Sequence, residues 1–195
     1  MKVAVGYSRM EMTFGDKTYE GWLLVFLYDP AGNMVMPGYY EENVQPLKSS
    51  GACEADTTEE PTDTNDSGTD DSGNPDTDTP AGDNEVATVT VDEHNKFRAL
   101  HCNTADVAYD HEMEVLAQKI ADKKVFKHSS RDERNGAGEN LAWNMEPTIG
   151  AAIAKGVKNF YSEIEFYQWD NPGNDGIGGE AVGHFTQVIK NCPLL

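Results

Sequence analysis

Between Lys48 and Lys96 the chain has no Lys or Arg, and from Glu54 to Glu85 it carries twelve carboxylates set among Pro, Gly, Ser, Thr and Asn. This stretch, GACEADTTEEPTDTNDSGTDDSGNPDTDTPAGDNE, has almost no large apolar side chains. It cannot bury enough surface to offset the entropy of ordering its backbone, so residues 49–87 read as a disordered acidic linker. The 195 residues are thereby divided into two pieces, 1–48 and 88–195, from which any fold must be assembled. A hydrophobic fraction of 38% supports one modest core rather than two.

The linker also holds most of the formal net charge of -19. Phosphate binding needs clustered Lys and Arg, so this balance excludes a nucleic-acid partner. Asn65-Asp66-Ser67 forms a glycosylation sequon, and Asp63, Asn65 and Asp66 before Gly68 faintly echo a calcium loop, but no Glu closes that loop. A solvated spacer is the simpler reading. Cys53, Cys102 and Cys192 are odd in number and lack metal-ligand spacing, which predicts neither a disulfide framework nor a zinc finger. The N-terminus, MKVAVGYSRMEM, has no signal-peptide apolar core and no Gly in second position. The longest apolar run, Trp22 to Tyr28, falls far short of the roughly twenty residues of a membrane helix. It reads as a buried strand, and no transmembrane segment is expected.

Residues 1–45 have the pattern of strands. Val3, Val5 and Tyr7 alternate, a turn follows at Gly15-Asp16, and the WLLVFLY run comes next. Two strands alone are marginal in water, so this hairpin needs a partner. Residues 88–195 are mostly helical in pattern. Thr90 and Glu93 have capping-box spacing before Phe97 and Leu100. Met113, Leu116, Ala117 and Ile120 follow an Asp110 cap, and Ile149, Ile153, Val157, Phe160, Ile164 and Tyr167 continue from Thr148. Phe185 to Ile189 is short and β-prone, which predicts a closing strand. Helices in one piece and strands in the other give an α+β fold in which neither piece is self-sufficient.

Two histidines, His128 and His184, lie near Gly-rich turns, as does Glu139, while Glu163 follows Phe160 on the third helix. Two imidazoles and two carboxylates from four elements could share a cavity, where imidazole suits zinc and a carboxylate orients a ring or takes a proton. By spacing alone, surface or hydrogen-bonded polar residues explain them better.

A longer pattern changes that balance. EHNKFRALH (93–101), FKH (126–128), GENLAW (138–143), FYSEIEFY (160–167) and GHFTQV (183–188) occur in an order and spacing that resemble the CAP superfamily of cysteine-rich secretory, antigen 5 and pathogenesis-related proteins. In that resemblance the segments look like the first-helix motif, the first cavity His, a Gly-Glu-Asn turn, a Trp-x-x-Glu helix motif with Phe160 in place of Trp, and the signature strand. It implies an α-β-α sandwich with His128, Glu139, Glu163 and His184 as a cavity tetrad and Asn140 and Ser162 in support. His94 resembles a structural histidine of the first helix, and His101 and His111 receive no role. VAVGYS, LLVFLYDPAGN and GYYEENVQPL look like the end of a CAP domain of the Golgi-associated plant-pathogenesis-related subgroup, although they come first here. The expected organisation is therefore a CAP domain split in circularly permuted or tandem-fragment order. Residues 1–48 are its C-terminal strand segment, 49–87 the linker, and 88–195 its helical part, truncated after the first strand. A flexible linker of about forty residues spans roughly 30–40 Å, enough to let the pieces meet.

What the resemblance implies for function is a binding module rather than an enzyme. Its cavity would hold zinc or another divalent metal through His128 and His184, and an apolar groove would take lipid or sterol. Two alternatives stand beside it. One is a structural or interaction repeat, or a truncated fragment of a tandem CAP protein, acting as a dimer or with a tandem CAP partner. The other is a metal-dependent hydrolase in which metal-bound water or Ser162 is activated by His and Glu, although no G-x-S-x-G is present. Relatives of this type are mostly extracellular, and the subgroup resembled most is Golgi-associated, so extracellular is expected and a cytosolic or Golgi-associated site is the alternative.

Overall fold

The first residues form a hairpin. In the computed structural model, which describes residues 1–32, 38–51, 53, 81–173 and 175–191, β1 (Lys2–Phe14) pairs antiparallel with β2 (Lys17–Asp29) from Lys2↔Asp29 to Phe14↔Lys17. Gly15, at φ 59, supplies the left-handed residue that a two-residue hairpin loop requires. The strands run well past the Val3–Tyr7 and Trp22–Tyr28 segments expected of them.

Leu23 to Tyr28 is a continuous apolar run because both faces of β2 are covered. Side chains alternate across a strand. Leu24, Phe26 and Tyr28, with Val3 and Val5, face one core shared with Ile153, Val157, Phe160, Phe185 and Ile189. Leu23, Val25 and Leu27 face a second core with Ala117, Ile120, Ala121 and Leu141. Each of these side chains is shielded almost completely, a gain of about 1.5–3 kcal/mol for each Val, Leu, Ile or Phe among them.

The hairpin sits in the middle of its sheet. The order is β3-β1-β2-β4, where β3 (Ala108–Tyr109) runs parallel to β1 and β4 (Gly138–Asn144) antiparallel to β2. Helices α2 (Ala81–Arg98), α4 (Ile149–Ser162) and α5 (Gly183–Val188) pack on one side, and α3 (His111–Ala121) on the other. A short α1 (Tyr39–Asn43) follows the hairpin. The result is an α+β fold in which residues from both pieces interleave in one sheet.

Local chemistry set several boundaries as expected. The Asp110 carboxylate accepts the Met113 amide at 2.9 Å, and the Thr148 hydroxyl accepts that of Ala151 at 3.2 Å. Where β3 stops, the Gln118 side-chain amide takes over as a pairing partner for β1, accepting from Tyr7 N at 3.1 Å and donating to Tyr7 O at 2.8 Å. Strand and helix approach closely here, since a Cβ on Gly6 would overlap the backbone of Ala117 and Gln118.

Four expectations need correction. Helix α2 starts at Ala81, so Thr90 is not a cap; its hydroxyl donates to the Val86 carbonyl within the helix at 2.7 Å. GENLAW is not a turn but most of β4. Phe185 to Ile189 is not a strand: Gly183–Val188 is α5, whose first amides at His184 and Phe185 both donate to the Glu163 carboxylate. That distant cap, together with burial of Phe185 through Val188, overrides β propensity. Finally, Cys53 and Cys102 form a disulfide with Cα atoms 5.4 Å apart. Beside it Lys48 N donates to Leu100 O, Cys102 N to Pro46 O, and Leu47 bridges His101. Most of the acidic stretch, including the sequon and the calcium-like loop, lies outside the described residues.

Candidate functional site

The four histidine and glutamate residues of interest come together as two pairs. Glu139 lies on β4, adjacent to Asn140, which stands opposite Phe26 of β2. Its carboxylate, only 1% exposed, meets His128 Nδ1 at 2.7 Å. It also accepts the Ser129 amide at 2.9 Å and the Ser129 hydroxyl at 2.7 Å. The His128 ring itself is 60% exposed. Burying a carboxylate is costly unless it is hydrogen-bonded, and Ser129 supplies much of that compensation.

The second pair brackets the segment between α4 and α5: Glu163 opens a 3-10 turn just past α4, rather than lying on the third helix as expected, and His184 lies in the first turn of α5. His184 Nδ1 meets Glu163 Oε1 at 2.6 Å, while Glu163 Oε2 accepts the His184 and Phe185 amides at 3.0 and 3.1 Å. Phe160 stacks on the His184 ring, centroids 4.9 Å apart. Phe160, standing where the resemblance has Trp, thus keeps an aromatic wall against the imidazole.

In each pair a carboxylate faces Nδ1. A neutral imidazole whose Nδ1–H donates to a carboxylate presents its Nε2 lone pair outward, the arrangement that orients histidine ligands of metals. His128 and His184 fit a cation in that sense. Among the described residues, however, no group of three or more His, Cys, Asp or Glu side chains could hold a metal. Together the two imidazoles would offer a cation two nitrogens, fewer than the three protein ligands typical of catalytic zinc.

A buried hydrogen-bond chain connects this region to the core. Asn140 Nδ2 donates to His184 O at 3.2 Å and approaches the Tyr28 hydroxyl at 3.4 Å, and Tyr28 donates to His94 Nε2 at 3.0 Å. The direction at His94 follows from its other nitrogen, which lies 2.7 Å from the Thr90 carbonyl and so carries the proton. Burial pushes His94 down to about 4 and raises the Tyr28 hydroxyl well above its ordinary range. His94 is structural, as the resemblance implied. His101 is structural too: its Nδ1–H donates to Gln45 O at 2.6 Å, its Nε2 accepts from Tyr161 OH at 3.0 Å, and burial lowers its pKa. His111 is an exposed helix residue paired with Glu114 at 3.0 Å.

Ser162 does not join either pair. Its hydroxyl donates to Asn159 O at 2.7 Å on the exposed end of α4. Sequence reasoning missed Ser129 and Arg98. The first stands beside the motif His, but its bond to Glu139 crosses ten residues. Arg98 is 1% exposed and donates to the carbonyls of Ala105, Val188 and Lys190, fastening α2 to the end of α5.

The family model described as the cysteine-rich secretory protein family, CAP, matches residues 91–192, just over half of the chain, and that span contains both His–Glu pairs. Protein PRY2 of Saccharomyces cerevisiae is 33% identical over 105 residues, covering 54% of this chain and 29% of that protein. Golgi-associated plant pathogenesis-related protein 1 of Homo sapiens is 29% identical over 103 residues, 49% of this chain and 60% of its own. CRISP/Allergen/PR-1 of Trittame loki is 30% identical over 130 residues, 56% and 31% respectively. The chain thus spans less than two thirds of each of these relatives. No solved structure matches significantly. With the motifs, the paired His–Glu geometry and this match in agreement, the chain belongs to the cysteine-rich secretory protein (CAP) family.

Proposed function

We propose that this protein is a CAP binding module whose two His–Glu pairs form a cavity able to take a divalent cation such as zinc. The observation that carries the reading is the Nδ1–carboxylate contact repeated at His128 and His184, which leaves Nε2 as the nitrogen each ring can offer a ligand. A bound cation would supply Lewis acidity. The chain's own residues bind and orient: Glu139 and Glu163 hold the rings, Ser129 holds Glu139, and Phe160 packs against His184. The lipid or sterol half of the reading is supported by Phe166, Trp169 and Ile177, which expose apolar surface in the segment between Glu163 and His184. The serine form of the hydrolase reading is disfavoured because the Ser162 hydroxyl is turned to its own helix.

The order of the pieces is read as a permuted CAP domain, supported by the central placing of β1 and β2 between β3 and β4 of the family-matched segment. The Cys53–Cys102 disulfide supports an oxidising compartment, in line with an extracellular site.

The test is a thermal melt of the whole chain with and without Zn²⁺. A ligand that binds the native state at a hundredfold its dissociation constant adds about 2.7 kcal/mol, so the midpoint rises. The rise is expected to vanish in His128→Ala and His184→Ala. A midpoint indifferent to zinc refutes the metal half. Solvent extraction of the purified chain that yields neither sterol nor fatty acid refutes the lipid half.

A further inference from the structure

Six of the chain's fifteen Lys and Arg residues fall between 119 and 134, against the three carboxylates Asp122, Asp132 and Glu133. A chain of net charge -19 therefore carries a local excess of positive charge here. The segment leaves α3 and runs to β4, and every residue from Asp122 to His128 is exposed. At its apex lie two adjacent apolar side chains, Val125 at 55% and Phe126 at 45% exposure. They are held out by a defined backbone: Lys124 adopts a left-handed φ of 53 and Lys127 N donates to Val125 O at 2.9 Å. The base of the loop is tied by Lys123 to Glu133 and by Arg134 to the carbonyls of Ser129 and Ala137.

We propose that residues 123–127 dock this protein on an anionic lipid bilayer. Val125 and Phe126 enter the interface between headgroups and acyl chains, while Lys124 and Lys127 meet lipid phosphates and carboxylates. The pairing of apolar tip and cationic rim selects this partner, because a soluble polyanion would leave Val125 and Phe126 in water. The net negative charge does not oppose docking at contact range, since physiological salt screens charges beyond about 8 Å. His128 follows the loop directly, so docking would bring the His128–Glu139 pair near the bilayer. The proposal is independent of what the cavity binds.

The experiment is co-sedimentation of the full chain with phosphatidylcholine vesicles, with and without phosphatidylserine at about 30 mol %. Binding is expected only with phosphatidylserine and should fall at high salt. Each lysine near the surface contributes about a fivefold factor, so Lys124→Gln/Lys127→Gln should weaken binding about twenty- to thirtyfold. Phe126→Ser should weaken it about tenfold. Both variants alter exposed residues and should keep the wild-type circular dichroism and melting midpoint. No binding, equal binding to neutral vesicles, or wild-type binding by either variant overturns the proposal. So does competition by a heparin oligosaccharide together with no loss in Phe126→Ser, which would mark a polyanion site.

Discussion

The Cys53–Cys102 disulfide closes a loop across the acidic stretch, joining cysteines 49 positions apart in sequence. Both chain pieces must meet to build the sheet, so restricting their separation in the unfolded state should matter. In the chain-entropy treatment a closed loop of about fifty residues is worth about 4 kcal/mol at 25 °C. For a chain of this length that corresponds to a midpoint shift of about 8–16 °C. The clean perturbation is Cys53→Ser in a Cys192→Ser background, which leaves the buried Cys102 in place and removes any alternative pairing. Differential scanning calorimetry of this variant and of the Cys192→Ser reference, each with and without reductant, gives four melts. The reference should lose its advantage when reduced, and the variant should not respond to reductant. A shift under about 2 °C, below even 1 kcal/mol for a chain this size, would refute the reasoning. It would mean that hydrogen bonds such as His101 to Gln45 already hold this region without the covalent link.

Further outcomes follow from the packing. Gly6→Ala should destabilise the fold by about 1–3 kcal/mol or more, because its Cβ meets α3 backbone rather than a movable side chain; urea titration checks this. Glu139→Ala removes the shared acceptor of His128 and Ser129 and should cost about 1–3 kcal/mol, along with any zinc-dependent rise in midpoint. His94 makes stability depend on pH: its imidazole protonates near 6.5 when unfolded but only at about 4 when folded. Between those values the unfolded chain binds more protons, so stability is full above pH 6.5 and falls by about 3 kcal/mol as pH drops to 4. His101, lowered in the same direction, adds to the fall. Urea unfolding at pH 7 and pH 4.5 measures it, and equal stabilities would refute it.

Much of this architecture was legible because its causes are local. The alternation at Val3, Val5 and Tyr7 is the period of a strand, and the caps at Asp110 and Thr148 act within three residues. The unbroken WLLVFLY run signalled a buried strand, and the structure covers that strand, β2, on both faces. What failed was governed from a distance. The β-prone GHFTQV became helix α5 because the Glu163 carboxylate receives its first amides. The disulfide was hidden by an odd cysteine count, since only folding brings residues 53 and 102 together. The candidate site divides the same way. The motifs named His128, Glu139, Glu163 and His184, but the order of residues could not say that they meet as two pairs, that Ser129 supports one, or that Ser162 turns away.

By itself, then, the sequence determined the elements whose signals lie within a turn or two: strand alternation, helix faces, caps, and the motifs of the CAP family. Only the tertiary structure decided which strands lie side by side, that the hairpin at the start of the chain occupies the centre of the sheet, and which nitrogen of each histidine faces a carboxylate. These depend on contacts between residues far apart in the chain, which form only when burial of both cores offsets the entropy of bringing the pieces together.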